Sequence, residues 1–499
     1  MTGSWWPVAA IVAVVLATAA VGTLGVRSRT TSDFLVASRS VTPFLNASAI
    51  GGEYLSAASF LGIAGLVLTY GVDMLWFPVG YTVGYLVLLV LVAAPLRRSG
   101  AYTLPDFAEM RFGSPRLRLL SSVLVVLIGW LYLLPQLQGA GITLRVLTGA
   151  PLWVGAVVVA VVVSVTVAAG GMRSITVVQA FQYWLKLAAI SLPAILLVGA
   201  WHRDGAPVFA DGGWGTPLSG FGGREYPLYS TYSIVLATFL GTMGLPHVLV
   251  RFYTNPDGRA ARRTTLAVLG LLSVFYLFPP VFGALGRVYT PELAGTSAAD
   301  TVVLLLPGRV FGGWVGQALS SLVAAGAFAA FLSTASGLSV SVAGVLTQDV
   351  IRRESRFGGV ALRFRLSTAI AVAVPLVLAL VAGRTDLAQT VTLAFAVAAS
   401  TFCPLLVLGI WWPRLTAQGA IASLIVGGGS ALVAVVAVLT FGPFTGLGGA
   451  LLDQPAAWTV PLAFLTAIVV SLRTRDRDPR AVAAALTRLH SPEELEPRH

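Results

Sequence analysis

The sequence predicts an all-α polytopic membrane protein, and three observations support this fold class. Of the 499 residues, 57% are apolar and only 10% are charged, and the mean hydropathy is +0.86. An average soluble domain carries about 25% charged residues. The apolar residues form long unbroken runs, whereas a membrane β-barrel requires alternation of polar and apolar residues. Arginines cluster at the ends of these runs. Together these features exclude a soluble globular protein, a disordered chain and an outer-membrane barrel.

The apolar runs divide into thirteen predicted membrane spans. A transmembrane helix needs about 20 consecutive apolar residues. The predicted spans cover residues 5–26, 44–70, 73–96, 119–147, 152–170, 175–201, 230–252, 265–286, 314–347, 366–383, 388–411, 415–441 and 456–472.

The distribution of arginine predicts the orientation in the membrane. Twenty-five arginines fall on the side of the loop after span 1 and only six on the other side, while the single lysine, Lys186, lies within span 6. Loops rich in arginine face the cytoplasm, which predicts an external N-terminus and a cytoplasmic C-terminus in the plasma (cell) membrane. Since the arginines flank spans, the net charge of +12 does not indicate a nucleic-acid partner.

Two spans contain residues that interrupt a helix near its middle. In span 2, residues 49–59 combine paired glycines with Glu53 and several hydroxyls, and in span 7, residues 241–247 combine two glycines, a proline and a histidine. Glycine and proline both weaken a helix. Broken backbone at membrane depth is tolerated where it is buried or lines a cavity. The alternative interpretation is two sites of close helix packing.

The two interrupted spans are five helices apart, which is typical of transporters built from two inverted repeats. A five-plus-five inverted-repeat core is therefore predicted. The domain organisation is 1–43 (first helix and cytoplasmic loop), 44–201 (first repeat, spans 2–6), 202–229 (extracellular loop), 230–411 (second repeat, spans 7–11), 412–472 (spans 12–13) and 473–499 (cytoplasmic tail).

Span 9 carries a potential cation site. Ser333 and Thr334 are adjacent hydroxyl residues, and the Ala330 carbonyl lies one turn earlier. Three oxygens on one helix, completed by carbonyls of a broken neighbour, would suit a hard cation such as Na⁺. The alternative is that both hydroxyls bond only to the backbone of their own helix.

At these residues the sequence resembles the sodium:solute symporter family, and within it the cation/acetate (monocarboxylate) symporters. The likeness covers roughly residues 33–420. The matching stretches are GGEYLSAASFLG at 51–62, GAYTLPD at 100–106, GLPH at 244–247 followed by Arg251 and Phe252, and LAFAVAAS at 393–400.

The resemblance implies Na⁺-coupled uptake by alternating access. It implies that the Na⁺ ligands are Gly52, Leu55, Ala330, Ser333 and Thr334. The substrate pocket is expected beside them, between the two breaks. Its candidate residues are Ser56, Ser59, Gly244 and His247.

Three buried polar residues leave alternative roles open. Glu53 is expected to pair with a cation, to carry a proton, or to remain neutral and bonded to helix carbonyls. Lys186 either attracts a carboxylate into the cavity or extends its amine to the membrane surface. His247 either faces the substrate or is a satisfied polar residue of the bundle.

The favoured function is Na⁺-coupled symport of a short-chain monocarboxylate such as acetate, propionate or pyruvate. The alternatives are Na⁺ symport of proline, another amino acid, pantothenate or a sugar, and proton-coupled symport of a monocarboxylate. A membrane sensor is disfavoured because no signalling domain is predicted, and an enzyme because no histidine–carboxylate cluster or nucleophile–base pair is found. The expected partners are the solute, Na⁺ as coupling ion and the lipid bilayer, with no other cofactor and with the oligomeric state left open.

Overall fold

The computed structural model describes residues 5–23, 36–208, 214–217, 225–350, 359–381, 387–442, 444–474 and 479–492. All regular secondary structure in these ranges is helical. The α-helices, numbered in chain order, are α1 Trp6–Thr23, α2 Pro43–Tyr54, α3 Ile63–Tyr70, α4 Trp76–Val87, α5 Ala93–Arg98, α6 Leu104–Phe112, α7 Pro115–Thr148, α8 Leu152–Arg203, α9 Pro227–Gly244, α10 Pro246–Val250, α11 Gly258–Phe275, α12 Pro279–Tyr289, α13 Val302–Val310, α14 Gly313–Val345, α15 Val360–Val381, α16 Leu387–Trp411, α17 Ala417–Ser423, α18 Gly429–Phe441, α19 Gly446–Asp453, α20 Ala456–Arg473 and α21 Pro479–His490.

Short irregular helices connect or extend several of these elements. The π-helical turns are Ala58–Gly62, Leu88–Val92, Leu346–Val350 and Leu424–Gly428. The 3₁₀ turns are Ala37–Arg39, Gly71–Leu75, Arg251–Thr254, Pro291–Leu293 and Ala299–Thr301.

Eleven helical stretches within the described residues are long and apolar enough to cross a membrane, and Trp6–Gly22 forms a shorter apolar helix. The predicted number of thirteen spans is therefore not confirmed. One of the eleven stretches, Ala58–Arg98, contains parts of predicted spans 2 and 3. The chain turns inside it at Gly71, whose φ of +83° is readily adopted only by glycine.

Predicted spans 5 and 6 correspond to the apolar stretches Leu152–Gly170 and Met172–Arg203, but the segment expected to be a loop between them is helical. Helix α8 runs from Leu152 to Arg203 without interruption, and it includes Arg173, which was expected in a loop. No proline lies in this region to end the helix. The hydroxyl of the adjacent Ser174 donates to the Gly22 carbonyl of α1 at 2.6 Å, so the polar groups at this point are satisfied by a neighbouring helix.

Both predicted helix breaks are confirmed. Helix α2 ends at Tyr54, and Leu55 leaves the helical region with ψ of 85° before the chain resumes a helical path after Ser56. Helix α9 ends at Gly244, and Leu245 is extended with ψ of 115°. The residue before a proline is disfavoured in the α region, and Pro246 then begins α10 as its first residue.

Glycines allow close backbone packing at each break. A Cβ atom at Gly52 would lie 2.1 Å from the Gln179 carbonyl oxygen of α8, and one at Gly244 would lie 2.1 Å from the Ala398 carbonyl oxygen of α16. Small residues permit such approach between membrane helices. The two broken helices are thereby held against continuous helices of the bundle.

Two further helices, α6 and α21, lie outside the long apolar stretches. Thr103 caps α6, since its hydroxyl accepts from the Asp106 amide at 3.4 Å while the Asp106 carboxylate accepts from the Thr103 amide at 3.0 Å. Helix α21 lies near the end of the chain, and its Leu489 is buried.

Candidate functional site

The unwound segment of the first broken helix is anchored by side chains from other helices. The amide of Ala57, just past the break, donates to the Gln136 side-chain oxygen of α7 at 2.9 Å. This bond satisfies a donor that the break would otherwise leave unpaired in the membrane interior. The carbonyls at the break accept hydrogen bonds from side chains of neighbouring helices.

Lys186 lies among the predicted Na⁺ ligands. Its ammonium group donates to the Gly52 carbonyl, to the Leu55 carbonyl at 2.8 Å and to the Ser333 hydroxyl at 3.0 Å. The Lys186 side chain is fully buried. The burial of this side chain contradicts the expectation that its amine extends to the membrane surface, while the expectation that it attracts a carboxylate stays a prediction.

The two remaining predicted ligands adjoin the same cluster. The Ser333 hydroxyl donates to the Ala330 carbonyl at 3.0 Å, and the Thr334 hydroxyl donates to the Glu53 carbonyl of α2 at 2.6 Å. Ser333 thus bonds within its own helix, whereas Thr334 reaches across to the broken helix. All five predicted residues lie at this junction between α2 and α14.

Glu53 forms a buried ion pair with Arg251. The Arg251 Nε atom donates to Glu53 Oε2 at 2.7 Å, and both side chains are about 1% exposed. Arg251 also donates to the Thr176 hydroxyl at 2.8 Å and to the Gln179 side-chain oxygen. Arg251 is one of the twenty-five arginines that the sequence predicts on the cytoplasmic side. Its burial corrects that assignment and identifies it as the cation that pairs with Glu53.

Gln179 connects this ion pair to the cation cluster. Its side-chain oxygen accepts from Arg251, and its amide nitrogen donates to the Ser333 carbonyl at 2.7 Å. Gln179 and Lys186 are seven residues apart on α8, so they share one helix face. This spacing is the feature of the sequence that could have placed both side chains at the cation cluster.

The residues predicted for the substrate site lie close to both breaks but in different environments. The Ser59 hydroxyl bonds to the Tyr276 hydroxyl at 2.9 Å. Ser56 is fully buried. His247 is also fully buried and packs edge-on to Tyr132 with ring centroids 5.2 Å apart, and no described residue lies within hydrogen-bonding distance of either ring nitrogen. The expectation of a satisfied polar histidine is therefore wrong.

A buried aromatic cluster, which the sequence analysis missed, joins these positions. Tyr54 packs edge-on to Tyr85 with centroids 4.9 Å apart, and its hydroxyl bonds to the Thr242 hydroxyl at 2.7 Å. The full cluster draws on five parts of the chain: Tyr54, Tyr81, Tyr85, Tyr132, Tyr276 and Phe395. The Tyr85 hydroxyl is buried without a partner. The cluster therefore presents unpaired polar groups within an apolar wall, which is typical of a small-molecule site.

The charges at mid-membrane are not balanced. Among the described residues, the buried charged groups at this depth are Glu53, Lys186 and Arg251, whereas Asp73, Arg97 and Arg111 lie at span ends or in connecting segments. Two cations face one carboxylate, and that carboxylate is bonded directly to Arg251. With these three groups in their usual ionised forms, the site carries one positive charge in excess.

The fold and the site define a membrane transporter, with two broken helices meeting at buried oxygen ligands. A model of the sodium:solute symporter family matches residues 34–211 and 217–427. The chain is also 33% identical over 468 residues to a Bacillus subtilis (strain 168) protein described as uncharacterized symporter YwcA, with 90% of this chain and 91% of that protein covered. This chain belongs to the sodium:solute symporter family. It is a transporter rather than an enzyme, and Na⁺ is its coupling ion.

Solved structures confirm the predicted fold. A Na⁺-coupled sialic acid symporter, solved substrate-bound in an outward-open state, aligns with a TM-score of 0.72 at 17% identity, over 95% of this chain and 98% of that one. MHP1, a nucleobase-cation-symport-1 family transporter in a closed conformation with bromovinylhydantoin, aligns with a TM-score of 0.57 at 16% identity, over 92% and 99%. Both likenesses concern the fold alone.

Proposed function

We propose that this protein carries a short-chain monocarboxylate such as acetate, propionate or pyruvate into the cell together with Na⁺, by alternating access. The observation that carries the proposal is the excess positive charge at mid-membrane. An unbalanced charge is costly in the low-dielectric interior of a membrane protein. Among the described residues, Lys186 and Arg251 are opposed by Glu53 alone, and the coupled Na⁺ adds a further positive charge, so an anionic solute such as a monocarboxylate supplies negative charge that the site lacks.

The Na⁺ site of this proposal consists of the Gly52, Leu55 and Ala330 carbonyls with the Ser333 and Thr334 hydroxyls. The hydrogen bonds that already join these atoms support it, since each oxygen lies at one junction between α2 and α14. Carbonyl and hydroxyl oxygens suit a hard monovalent cation. The unwound backbone at Leu55 exposes carbonyls that a regular helix would use internally.

The substrate site of this proposal lies between the breaks. His247 and Tyr85 carry buried polar atoms without partners, and Ser56 and Ser59 add hydroxyls beside the first break. Leaving buried polar groups unpaired costs about 1–3 kcal/mol each, so a bound carboxylate that accepts from them would recover this free energy. Gly244 contributes by allowing α9 to approach α16 at the second break.

A panel of labelled solutes in proteoliposomes tests this proposal. Acetate, propionate, pyruvate, proline, pantothenate and glucose are offered under an inward Na⁺ gradient, and separately under an inward H⁺ gradient with Na⁺ absent. Protein-free liposomes and an ionophore that collapses the Na⁺ gradient are the controls. We expect Na⁺-driven accumulation of the monocarboxylates only. Accumulation of a neutral or zwitterionic solute instead would refute the assigned substrate class, and accumulation driven by H⁺ alone would refute the assigned coupling.

A further inference from the structure

The ammonium group of Lys186 is fully coordinated by the cation cluster. An ammonium has three N–H donors and no acceptor, and the structure supplies three acceptors: the Gly52 carbonyl, the Leu55 carbonyl and the Ser333 hydroxyl. The Ser333 proton is directed to the Ala330 carbonyl, which leaves its oxygen free to accept. The geometry matches a positively charged group that takes the place of a bound cation.

The same oxygens cannot hold this ammonium and Na⁺ together. Each of the three acceptors of Lys186 is also a ligand in the proposed Na⁺ site. Two like charges within a few ångströms repel strongly when no water screens them. Na⁺ can therefore enter only as the amine leaves, and the amine needs another acceptor. Glu53 Oε1 is buried and accepts no hydrogen bond from the part of the chain that the structure describes, and Glu53 directly follows Gly52 in the chain.

We propose that Lys186 is a tethered occupant of the cation site, which Na⁺ must displace, and that this competition sets the affinity of the protein for Na⁺. The inference rests on the proposed function only in assigning these oxygens to Na⁺, not in the identity of the solute. It makes Lys186 a determinant of the affinity for Na⁺.

Direct binding of ²²Na⁺ to the purified protein, without any solute, tests the proposal. Lys186→Met removes the amine and keeps an unbranched side chain of similar length. Since the competitor is lost, we expect the variant to bind Na⁺ at least roughly tenfold more tightly than the wild type. Arg145→Met is the matched control, because it removes a positive charge from the last turn of α7, and it should leave Na⁺ binding unchanged. Unchanged or weaker binding in Lys186→Met would overturn the proposal.

A measurement on the unmodified protein does not depend on the folding of a variant. Lys186 is the only lysine of the chain, so protein labelled with ¹⁵N at the lysine ζ position gives one side-chain resonance. We expect Na⁺ to shift this resonance, with a midpoint equal to the dissociation constant for ²²Na⁺. A resonance that stays fixed while ²²Na⁺ binds would overturn the proposal.

The two experiments separate this inference from the proposed function. If neither the wild type nor Lys186→Met binds Na⁺, the Na⁺ site fails and the inference fails with it. If Lys186→Met binds Na⁺ more tightly but the proteoliposomes take up a solute other than a monocarboxylate, the inference stands and the assigned substrate falls.

Discussion

Arg251 Nε donates to Glu53 Oε2 over 2.7 Å, and this ion pair joins the two broken helices of the transporter. Glu53 lies two residues before Leu55, where α2 unwinds, and Arg251 follows α10, the short helix that continues the second break. Through Gln179 the pair also contacts the backbone of Ser333 in the cation cluster. The two halves of the site are therefore linked by a continuous polar network.

Removing one member of this pair should destabilise the protein strongly. Arg251→Met leaves the Glu53 carboxylate buried without its partner, and breaking a buried pair in this way costs about 3–5 kcal/mol. We expect Arg251→Met and Glu53→Gln each to lower the melting temperature of the detergent-purified protein. The drop in melting temperature of the double variant should be much smaller than the sum of the two single drops. A double variant that loses the full sum would show that the two side chains contribute independently.

The breaks could be predicted from the sequence, because their cause is local. Pro246 disfavours the helical region for Leu245, and the glycine pair at 51–52 lowers the cost of unwinding at the first break. The grouping of the polar residues of span 9 could be predicted for a similar reason, because helix geometry determines which oxygens lie within one turn of each other.

The partners of Arg251 and Lys186 could not be predicted, because they depend on tertiary contacts. Arg251 lies at the end of an apolar run, where an arginine commonly marks the cytoplasmic end of a span. Its role becomes apparent only from its contact with Glu53. The contacts of Lys186 could not be predicted because they depend on the packing of α8 beside the first break. The aromatic cluster likewise brings together residues as distant in sequence as Tyr54 and Phe395.

Ser333 and Thr334 should determine the Na⁺ dependence of transport. Replacing both with alanine removes two oxygen ligands, and the loss of about 1–3 kcal/mol of binding corresponds to a roughly 5- to 150-fold rise in the half-saturating Na⁺ concentration. Ser321→Ala is a matched control on the same helix, since that hydroxyl bonds only to the Gln317 carbonyl. Uptake by the double variant with wild-type Na⁺ dependence would remove both residues from the ion site.

Gly52 should tolerate no side chain. A Cβ at this position would lie 2.1 Å from the Gln179 carbonyl oxygen, and backbone of a packed helix cannot readily move away. Overpacking of this kind costs about 1–3 kcal/mol, so Gly52→Ala should lower the melting temperature. In α11, Gly270 has no atom within 4 Å of the added carbon, and Gly270→Ala should be neutral or mildly stabilising. Equal melting temperatures for the two variants would contradict the close approach.

The orientation predicted from the arginine distribution can be tested with introduced cysteines. The single native cysteine, Cys403, is fully buried and should not react with a membrane-impermeant maleimide. We expect Thr216→Cys, in the predicted extracellular loop, to be labelled in intact cells. Ser491→Cys, at the end of α21, should be labelled only after the membrane is permeabilised. The reverse pattern would require the opposite topology.

His247→Phe should separate substrate binding from stability. Phenylalanine keeps a ring against Tyr132 but removes two buried nitrogens that have no hydrogen-bond partner. Because an unsatisfied buried polar group costs about 1–3 kcal/mol, the melting temperature without substrate should stay level or rise. If a nitrogen of His247 donates to the carboxylate of the solute, the half-saturating solute concentration should increase roughly tenfold, the equivalent of about 1.4 kcal/mol. Na⁺ binding measured without solute should remain at the wild-type level. A variant that melts earlier yet transports with unaltered solute affinity would show that His247 supports the bundle and takes no part in binding.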